Sequence, residues 1–569
     1  MNRSVSVPTF LDHTPVSLAF GTSGLRGLVK DITDLEAYIN VKGALRYFQV
    51  GGDLSAGGSV VLAGDLRPST DRIMRACARA IVDSGCAVEN AGKIPTPALI
   101  LHSVSTRRPG VMVSGSHIPF DRNGIKLNKS VGEILKSDEP GITREVEHVR
   151  AEEYSRTEAE SAFTPAGMFK TSADLPLLDS AAEERYVRRY TASFGPGGLS
   201  GLRVLVYEHS AVGRDVLGRI LRDLGAEVVS AGRSETFVPI DTENVTEELL
   251  DRLEGLVAAE AKGLRLDAVV STDGDSDRPL VAAVLPAGQT DARGRHVRFL
   301  SGDLLGIVVA EYLRADAVVV PISANDAVER RMRDRGVLLR KTKIGSPYVI
   351  SGIDELRVAG AHCRIVGWEA NGGFLVGSPI ALAREALGAL PTRDSTLPIL
   401  ANLYAAAEEG IGLAVLWDRL PARFGCAGLI DNVPVAVSRA IAANVVPAGE
   451  LTERAFDDAG QVLDEAATNE WRKSKTTLAR FFTPELGFAD IVRINVLDGV
   501  RVYFKSGDIV HIRPSGNAPQ LRIYSNSDSQ ARADQIVELG LKEPDGILRR
   551  LVGALRPIAA DPPGHNESP

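Results

Sequence analysis

Three apolar runs in this chain stop abruptly in polar, glycine-bearing loops, and strand-like and helix-like stretches alternate between them. Val111-Met112-Val113 runs into Ser114-Gly115-Ser116-His117, and Ala268-Val269-Val270 into Ser271-Thr272-Asp273-Gly274-Asp275-Ser276-Asp277-Arg278. Arg364-Ile365-Val366 runs into Gly367-Trp368-Glu369-Ala370-Asn371-Gly372-Gly373. Short apolar runs separated by amphipathic helical stretches are the pattern of βαβ units around a mainly parallel sheet. The class is α/β. Ligands of open α/β sheets bind beyond the carboxyl ends of the strands, so three such loops predict one central cleft built by several layers.

The first layer has Ser59-Val60-Val61-Leu62-Ala63, then Asp65-Leu66-Arg67-Pro68-Ser69, then a helix with Ile73, Cys77 and Ile81 at the 3.6-residue period. A second begins at Leu202-Arg203-Val204-Leu205-Val206 and returns as Ala226-Glu227-Val228-Val229. A third has a helix over 302–314 and a strand at Ala317-Val318-Val319-Val320. Linkers are expected around Thr143 to Asp179, at Pro286-Ala287-Gly288-Gln289-Thr290 and at Leu420-Pro421-Ala422-Arg423. A chain of 569 residues is several domains long. We expect three related mixed α/β domains of βαβ type, 1–178, 179–292 and 293–424, and a C-terminal α+β domain, 425–569, ending in a polar Pro/Gly-rich tail.

Composition narrows the function classes. Cys77, Cys86, Cys363 and Cys426 stand far apart with no Cys-x-x-Cys, which argues against a zinc site or a disulfide framework. No stretch reaches the ~20 apolar residues of a membrane span, so a cytoplasmic protein is expected. A formal net charge of −8 argues against broad nucleic-acid or acidic-membrane binding. Any anionic ligand must be met by local cations.

The loops carry the chemistry. Asp273, Asp275 and Asp277 alternate, so a looped backbone can aim all three carboxylates at one hard divalent cation; an acidic surface turn is the plainer alternative. A calcium EF-hand fails, because Arg278 sits where that loop needs glycine and Val284 where it needs glutamate. Ser116 is either a turn residue or a nucleophile, with His117 beside it and Lys126 downstream. The serine-hydrolase elbow is absent, since its second glycine is missing. Arg513-Pro514-Ser515-Gly516-Asn517-Ala518-Pro519 combines a guanidinium, a hydroxyl, an amide and a glycine turn, which suits either a phosphate clamp or an ordinary turn. Glu369 and Asn371 suit paired contacts to sugar hydroxyls, or a solvated loop.

Together these segments resemble the active-site motifs of the α-D-phosphohexomutase superfamily, the phosphoglucomutase and phosphomannomutase enzymes. The resemblance runs in order from Phe20-Gly21-Thr22-Ser23-Gly24-Leu25-Arg26-Gly27 through Gly64-Asp65-Leu66-Arg67-Pro68-Ser69, Pro95-Thr96-Pro97-Ala98 and the three loops to Arg-Pro-Ser-Gly-Asn and Arg522. It implies that Ser116 is a phosphoserine, that Asp273, Asp275 and Asp277 hold Mg2+ with a phosphoserine oxygen, and that Arg278 supports the transferring phosphoryl group. Lys126 and His117 become the candidates for proton transfer, with Arg26 close to the serine. Glu369, Asn371 and the Gly345 segment would meet the sugar, and Arg513, Ser515, Gly516, Asn517 and Arg522 the non-reacting phosphate.

The implied activity interconverts mannose 6-phosphate and mannose 1-phosphate through a hexose 1,6-bisphosphate. Phosphoglucomutase, dual specificity and a catalytically silent sugar-phosphate binder are the alternatives. Its partners are then small-molecule hexose phosphates, with no nucleic acid and no membrane, and the chain a monomer or weak homo-oligomer. Departures fall mainly near the sugar. Trp368-Glu369-Ala370-Asn371-Gly372-Gly373 replaces the frequent Gly-Glu-x-Ser-Gly-His, and Ser346 stands where several members carry histidine. The serine loop has Ser114-Gly115 for the commoner Thr-Ala and Ile118 for Asn.

Overall fold

In a computed structural model the same strand arrangement occurs three times. The structure describes residues 10–21, 24–172, 174–261, 265–291, 293–360, 363–445, 451–456, 469–514 and 519–554. In the first sheet Ser59–Gly64 lies between two parallel neighbours, Ala87–Lys93 and Gly110–Val113, and the latter pairs antiparallel with Arg122–Lys129. The second sheet repeats this with Arg203–His209 between Glu227–Arg233 and Ala268–Thr272, the latter antiparallel to Pro279–Val284. The third has Ala317–Pro321 between Leu338–Thr342 and Ile365–Trp368, the latter antiparallel to Phe374–Val376. Each functional loop is therefore the connection between the third strand of a repeat and its antiparallel partner.

The third strands are buried along their whole length, which is why they read as unbroken apolar runs. The helix with Ile73, Cys77 and Ile81 forms at Thr70–Asp83, those three side chains facing the core. Two expected linkers are corrected. The charged stretch after Thr143 is not all linker, because Glu139–Tyr154 is a helix whose Ile142, Val146 and Val149 pack against the first core. Their i, i+4, i+7 spacing is helical, but exposed charges between them mask it. Pro286–Thr290 is likewise a turn between Pro279–Val284 and Val297–Phe299, which pair in one sheet.

The described residues divide into two compact units, one of 1–321 with 331–420 and one of 322–330 with 421–569. The first contains all three repeats. The second is a six-stranded antiparallel sheet, from Phe424–Asp431 at one edge to Glu453–Ala455 at the other, with helices Gln530–Leu541 and Ile547–Ala554. Among the described residues no helix is long and apolar enough to cross a membrane. The tail expected to be unpacked lies outside the described residues.

Two buried histidines give the fold a pH dependence. His209 donates Nε2–H to the Thr272 carbonyl at 2.8 Å, and His511 to the Asp498 carbonyl at 2.7 Å. Burial holds their pKa values down, to about 4 and about 3. Unfolded, each would titrate near ~6.5, so between that pH and the folded value the unfolded chain binds a proton that the folded chain refuses. Stability therefore falls as pH drops below ~6.5, by about 1.4 kcal/mol per pH unit for each histidine. Urea midpoints measured from pH 7 down to pH 5 should show this slope, and His511→Gln should lessen it in the second unit.

Candidate active site

The serine loop is held open by an arginine. Ser116 adopts φ +56°, a left-handed conformation uncommon for a side chain with Cβ. Arg67 reaches under the loop and donates from Nη2 to the carbonyls of Ser116 (2.7 Å) and Ile118, and from Nη1 to those of Pro119 (2.6 Å) and Arg122 (3.0 Å). Its Nε bonds Asp65 at 3.2 Å, and Asp65 also accepts from Thr70 (2.7 Å) and Ser114 (2.8 Å). Both members of this pair are fully buried. Gly115 is needed because a methyl group there would stand 2.8 Å from the guanidinium carbon.

The aspartate loop meets Ser116 directly. The Ser116 hydroxyl donates to Asp273 Oδ2 at 2.6 Å, and Gly274 permits this approach, since a methyl group there would lie 2.6 Å from the Ser116 carbonyl oxygen. Lys126 projects from Arg122–Lys129 and donates to Asp275 (2.5 Å) and Asp277 (2.9 Å), while Thr96 donates its hydroxyl to Asp275 at 2.6 Å. Arg278 donates Nη1–H to His117 Nδ1 at 2.9 Å, and its Nε stands 3.6 Å from Asp277.

Charge is balanced finely. Burial and the two neighbouring carboxylates push the Asp273 carboxyl well above its usual range. Burial would also raise Asp277, but Arg393, Lys126 and Arg278 outweigh it and hold Asp277 well below. Burial would lower Lys126, yet Asp275 and Asp277 keep its ammonium charged. The Arg278 charge, then burial, hold His117 neutral, its Nδ1 lone pair accepting from Arg278. Arg26, on Leu25–Leu28, lies in the same field; burial, Arg278 and Arg393 bring it down to about 10.

These residues fit a divalent cation. Each of the three aspartates offers an oxygen within 4.8 Å of the others, and Asp275 Oδ1 and Asp277 Oδ1 are buried with no hydrogen-bond partner. A hard all-oxygen donor set with oxygens left unbonded is what Mg2+ binds. The 2.6 Å contact to Asp273 accommodates a hydroxyl, but a phosphate on Ser116 would bring anion against anion and call for such a cation.

The loop bearing Glu369 joins the same cluster through a residue that the sequence reading missed. Arg393, on Leu390–Asp394, bonds Asp277 Oδ2 at 2.8 Å and Glu369 Oε2 at 2.9 Å. Glu369 and Asn371 are both buried. The Asn371 side-chain oxygen accepts from Gly373 N–H at 3.0 Å, so that atom shapes its own loop. Gly345 (φ +128°) begins the helix Ser346–Ala359, and the Ser346 hydroxyl donates to Glu133 at 2.9 Å.

In the second unit Arg513 and Arg522 lie directly opposite on neighbouring antiparallel strands. Arg513 Nε bonds Asp498 at 3.1 Å, and Arg522 Nε is buried without a partner among the described residues. Like charges opposed across a ladder are unfavourable unless an anion joins them. Ser515, Gly516 and Asn517 lie outside the described residues.

Comparison with known proteins accords with this arrangement. Four family models match, described as phosphoglucomutase/phosphomannomutase α/β/α domain I at residues 17–153, domain II at 184–284, domain III at 301–424 and the C-terminal domain at 448–539. A phosphomannomutase of Salmonella muenchen is 37% identical over 93% of this chain and 96% of its own. One of Sinorhizobium fredii is 36% identical over 92% and 98%. A phosphoglucosamine mutase of Azorhizobium caulinodans is 30% identical over 95% and 99%. In fold the chain is similar to a phosphoglucomutase/phosphomannomutase family protein of Burkholderia thailandensis, with a TM-score of 0.62 at 18% identity over 94% of this chain and 97% of that one. With all four domains matched in order, the chain belongs to the phosphoglucomutase/phosphomannomutase family.

Proposed function

We propose that this chain is a phosphohexomutase that interconverts mannose 6-phosphate and mannose 1-phosphate in the cytoplasm, with Ser116 as the phosphoryl carrier. The observation that carries the reading is the Ser116 hydroxyl, 2.6 Å from Asp273 inside a ring of cations. A sugar hydroxyl oxygen attacks the phosphorus on Ser116. The new P–O bond forms as the P–Oγ bond breaks, and the hydroxyl proton passes in net to Oγ, leaving a hexose 1,6-bisphosphate. The sugar turns, and its other phosphate returns to Ser116 by the reverse exchange. Such transfer depends on position and neutralised charge, which Arg278 and Lys126 supply beside the oxygens that gain it. Mg2+ held by Asp273, Asp275 and Asp277 would add Lewis-acid withdrawal of that charge. His117 and Lys126 are the candidates for handling the proton. Glu369 and Asn371 grip sugar hydroxyls, and Arg513 and Arg522, with Ser515, Gly516 and Asn517, hold the distal phosphate. The domain limits follow at about 178 and 424, and the one expected at 292 moves past Phe299, because Val297–Phe299 pairs within the second sheet.

The names of the two relatives at 36–37% identity favour mannose. The phosphoglucosamine mutase at 30% makes an amino sugar the arm to exclude, with glucose beside it. Coupled assays on mannose, glucose and glucosamine 1-phosphates, with Mg2+ and the matching bisphosphate, should give the highest kcat/KM for mannose. A large preference for another sugar would overturn the substrate. No turnover on any of them would favour a silent binding protein.

A further inference from the structure

The strand end Thr392–Thr396 ties together segments that are distant in sequence. The Thr392 hydroxyl donates to Glu133 Oε1 at 2.6 Å, and the other oxygen of that carboxylate accepts from Ser346. Arg393 spans Asp277 and Glu369. Asp394 accepts from Tyr186 at 2.6 Å, from Tyr190, and from the Thr396 N–H at 3.1 Å. The Ser395 hydroxyl donates to the Ser276 carbonyl, inside the aspartate loop, at 2.7 Å. One short polar run thus contacts the aspartate loop twice and the sugar loop once, and is bolted to the helix Ala181–Phe194 by two tyrosines one turn apart.

We infer that Arg393 is a positioning residue of the transfer reaction, fixing the sugar-gripping Glu369 relative to the cation-binding Asp277. The inference rests on the proposed mutase reading and adds a residue to it. Its geometry is specific. The guanidinium takes Oε2 of Glu369 and Oδ2 of Asp277, leaving Asp277 Oδ1 without a hydrogen-bond partner. Arg393 is only 2% exposed, and its stem fills the space over Gly373, where a methyl group would stand 2.7 Å from its Cγ. The forked, planar donor set is what lets one side chain hold two carboxylates at once. Asp394, locked by Tyr186 and Tyr190, keeps the preceding residue, Arg393, from shifting. The sugar hydroxyls on Glu369 and the phosphoryl group beside Asp277 are then held in register, and misplacing reacting atoms by about 1 Å costs on the order of 10²-fold in rate.

Arg393→Met and Arg393→Lys test this beside the wild type. Arg393→Met should lower kcat about 100-fold. Mg2+ affinity, read by calorimetry on the protein without substrate, should stay equal or tighten, because a cation beside Asp277 has been removed. Arg393→Lys retains the buried charge without the fork, so it should fold even if the methionine variant does not, and should recover about tenfold of the loss. In a cycle with Glu369→Gln, the double variant should lose far less than the product of the single losses, since both act through one link. The inference is overturned if either variant keeps kcat within threefold of wild type, if Mg2+ affinity falls in step with the unfolding midpoint, or if the losses multiply. A wild-type enzyme with no mutase turnover would sink the proposed function instead.

Discussion

Ser116→Ala should lower mutase turnover by about 10⁴-fold or more, because loss of a covalent nucleophile leaves no carrier for the phosphoryl group. The fold should survive. Arg67 holds the backbone carbonyl of residue 116, not its side chain, and the Ser114 hydroxyl holds its N–H at 2.8 Å. Alanine tolerates φ +56° about as poorly as serine, so the strain at this position is nearly unchanged. Hexose phosphate affinity by calorimetry should therefore stay within a few-fold of wild type. Intact-mass measurement should find one phosphate on the wild-type protein after incubation with hexose 1,6-bisphosphate and none on the variant. Near-normal turnover, or a phosphate that persists in Ser116→Ala, would remove Ser116 as the carrier.

The residues legible in the sequence are those whose chemistry is written contiguously. Ser116, the three aspartates with Arg278, and Glu369 each follow an apolar run that stops at a polar loop, and the threefold strand pattern makes those loops equivalent connections. Arg67 and Arg393 were not legible in the same way, because their meaning lies in partners far along the chain. Arg67 grips a carbonyl 49 residues away, and Arg393 a carboxylate 116 residues away. A signal existed for both. Arg67 sits in Gly64-Asp65-Leu66-Arg67-Pro68-Ser69, directly after a buried strand, and Thr392-Arg393-Asp394-Ser395 closes another strand with the polar break that marked the first three loops. Asn371 shows another limit. An amide in the Glu369 loop reads as a hydroxyl partner, but its oxygen also accepts from Gly373 N–H, a local bond that residue type alone does not reveal.

Arg67→Met should be among the most damaging changes to the fold, costing about 3–5 kcal/mol, because it strands a buried carboxylate along with the carbonyls the guanidinium had satisfied. Burial holds the Arg67 guanidinium below its usual range and pushes Asp65 up, so each charge bears a desolvation cost that the other only partly offsets. Such a pair is a poor source of net stability, and its use here is to fix the loop carrying Ser116. Adding Asp65→Asn to Arg67→Met should restore part of the lost stability, since a neutral amide costs less to bury than an unpaired carboxylate; its oxygen can still accept from Thr70 while its NH2 donates to the Ser114 hydroxyl. It should not restore turnover, because no guanidinium then ties together the carbonyls of Ser116, Ile118, Pro119 and Arg122. Urea unfolding and mutase assays on the single and double variants separate the two effects. If activity returned along with stability, the serine loop would be shown to hold its shape without Arg67.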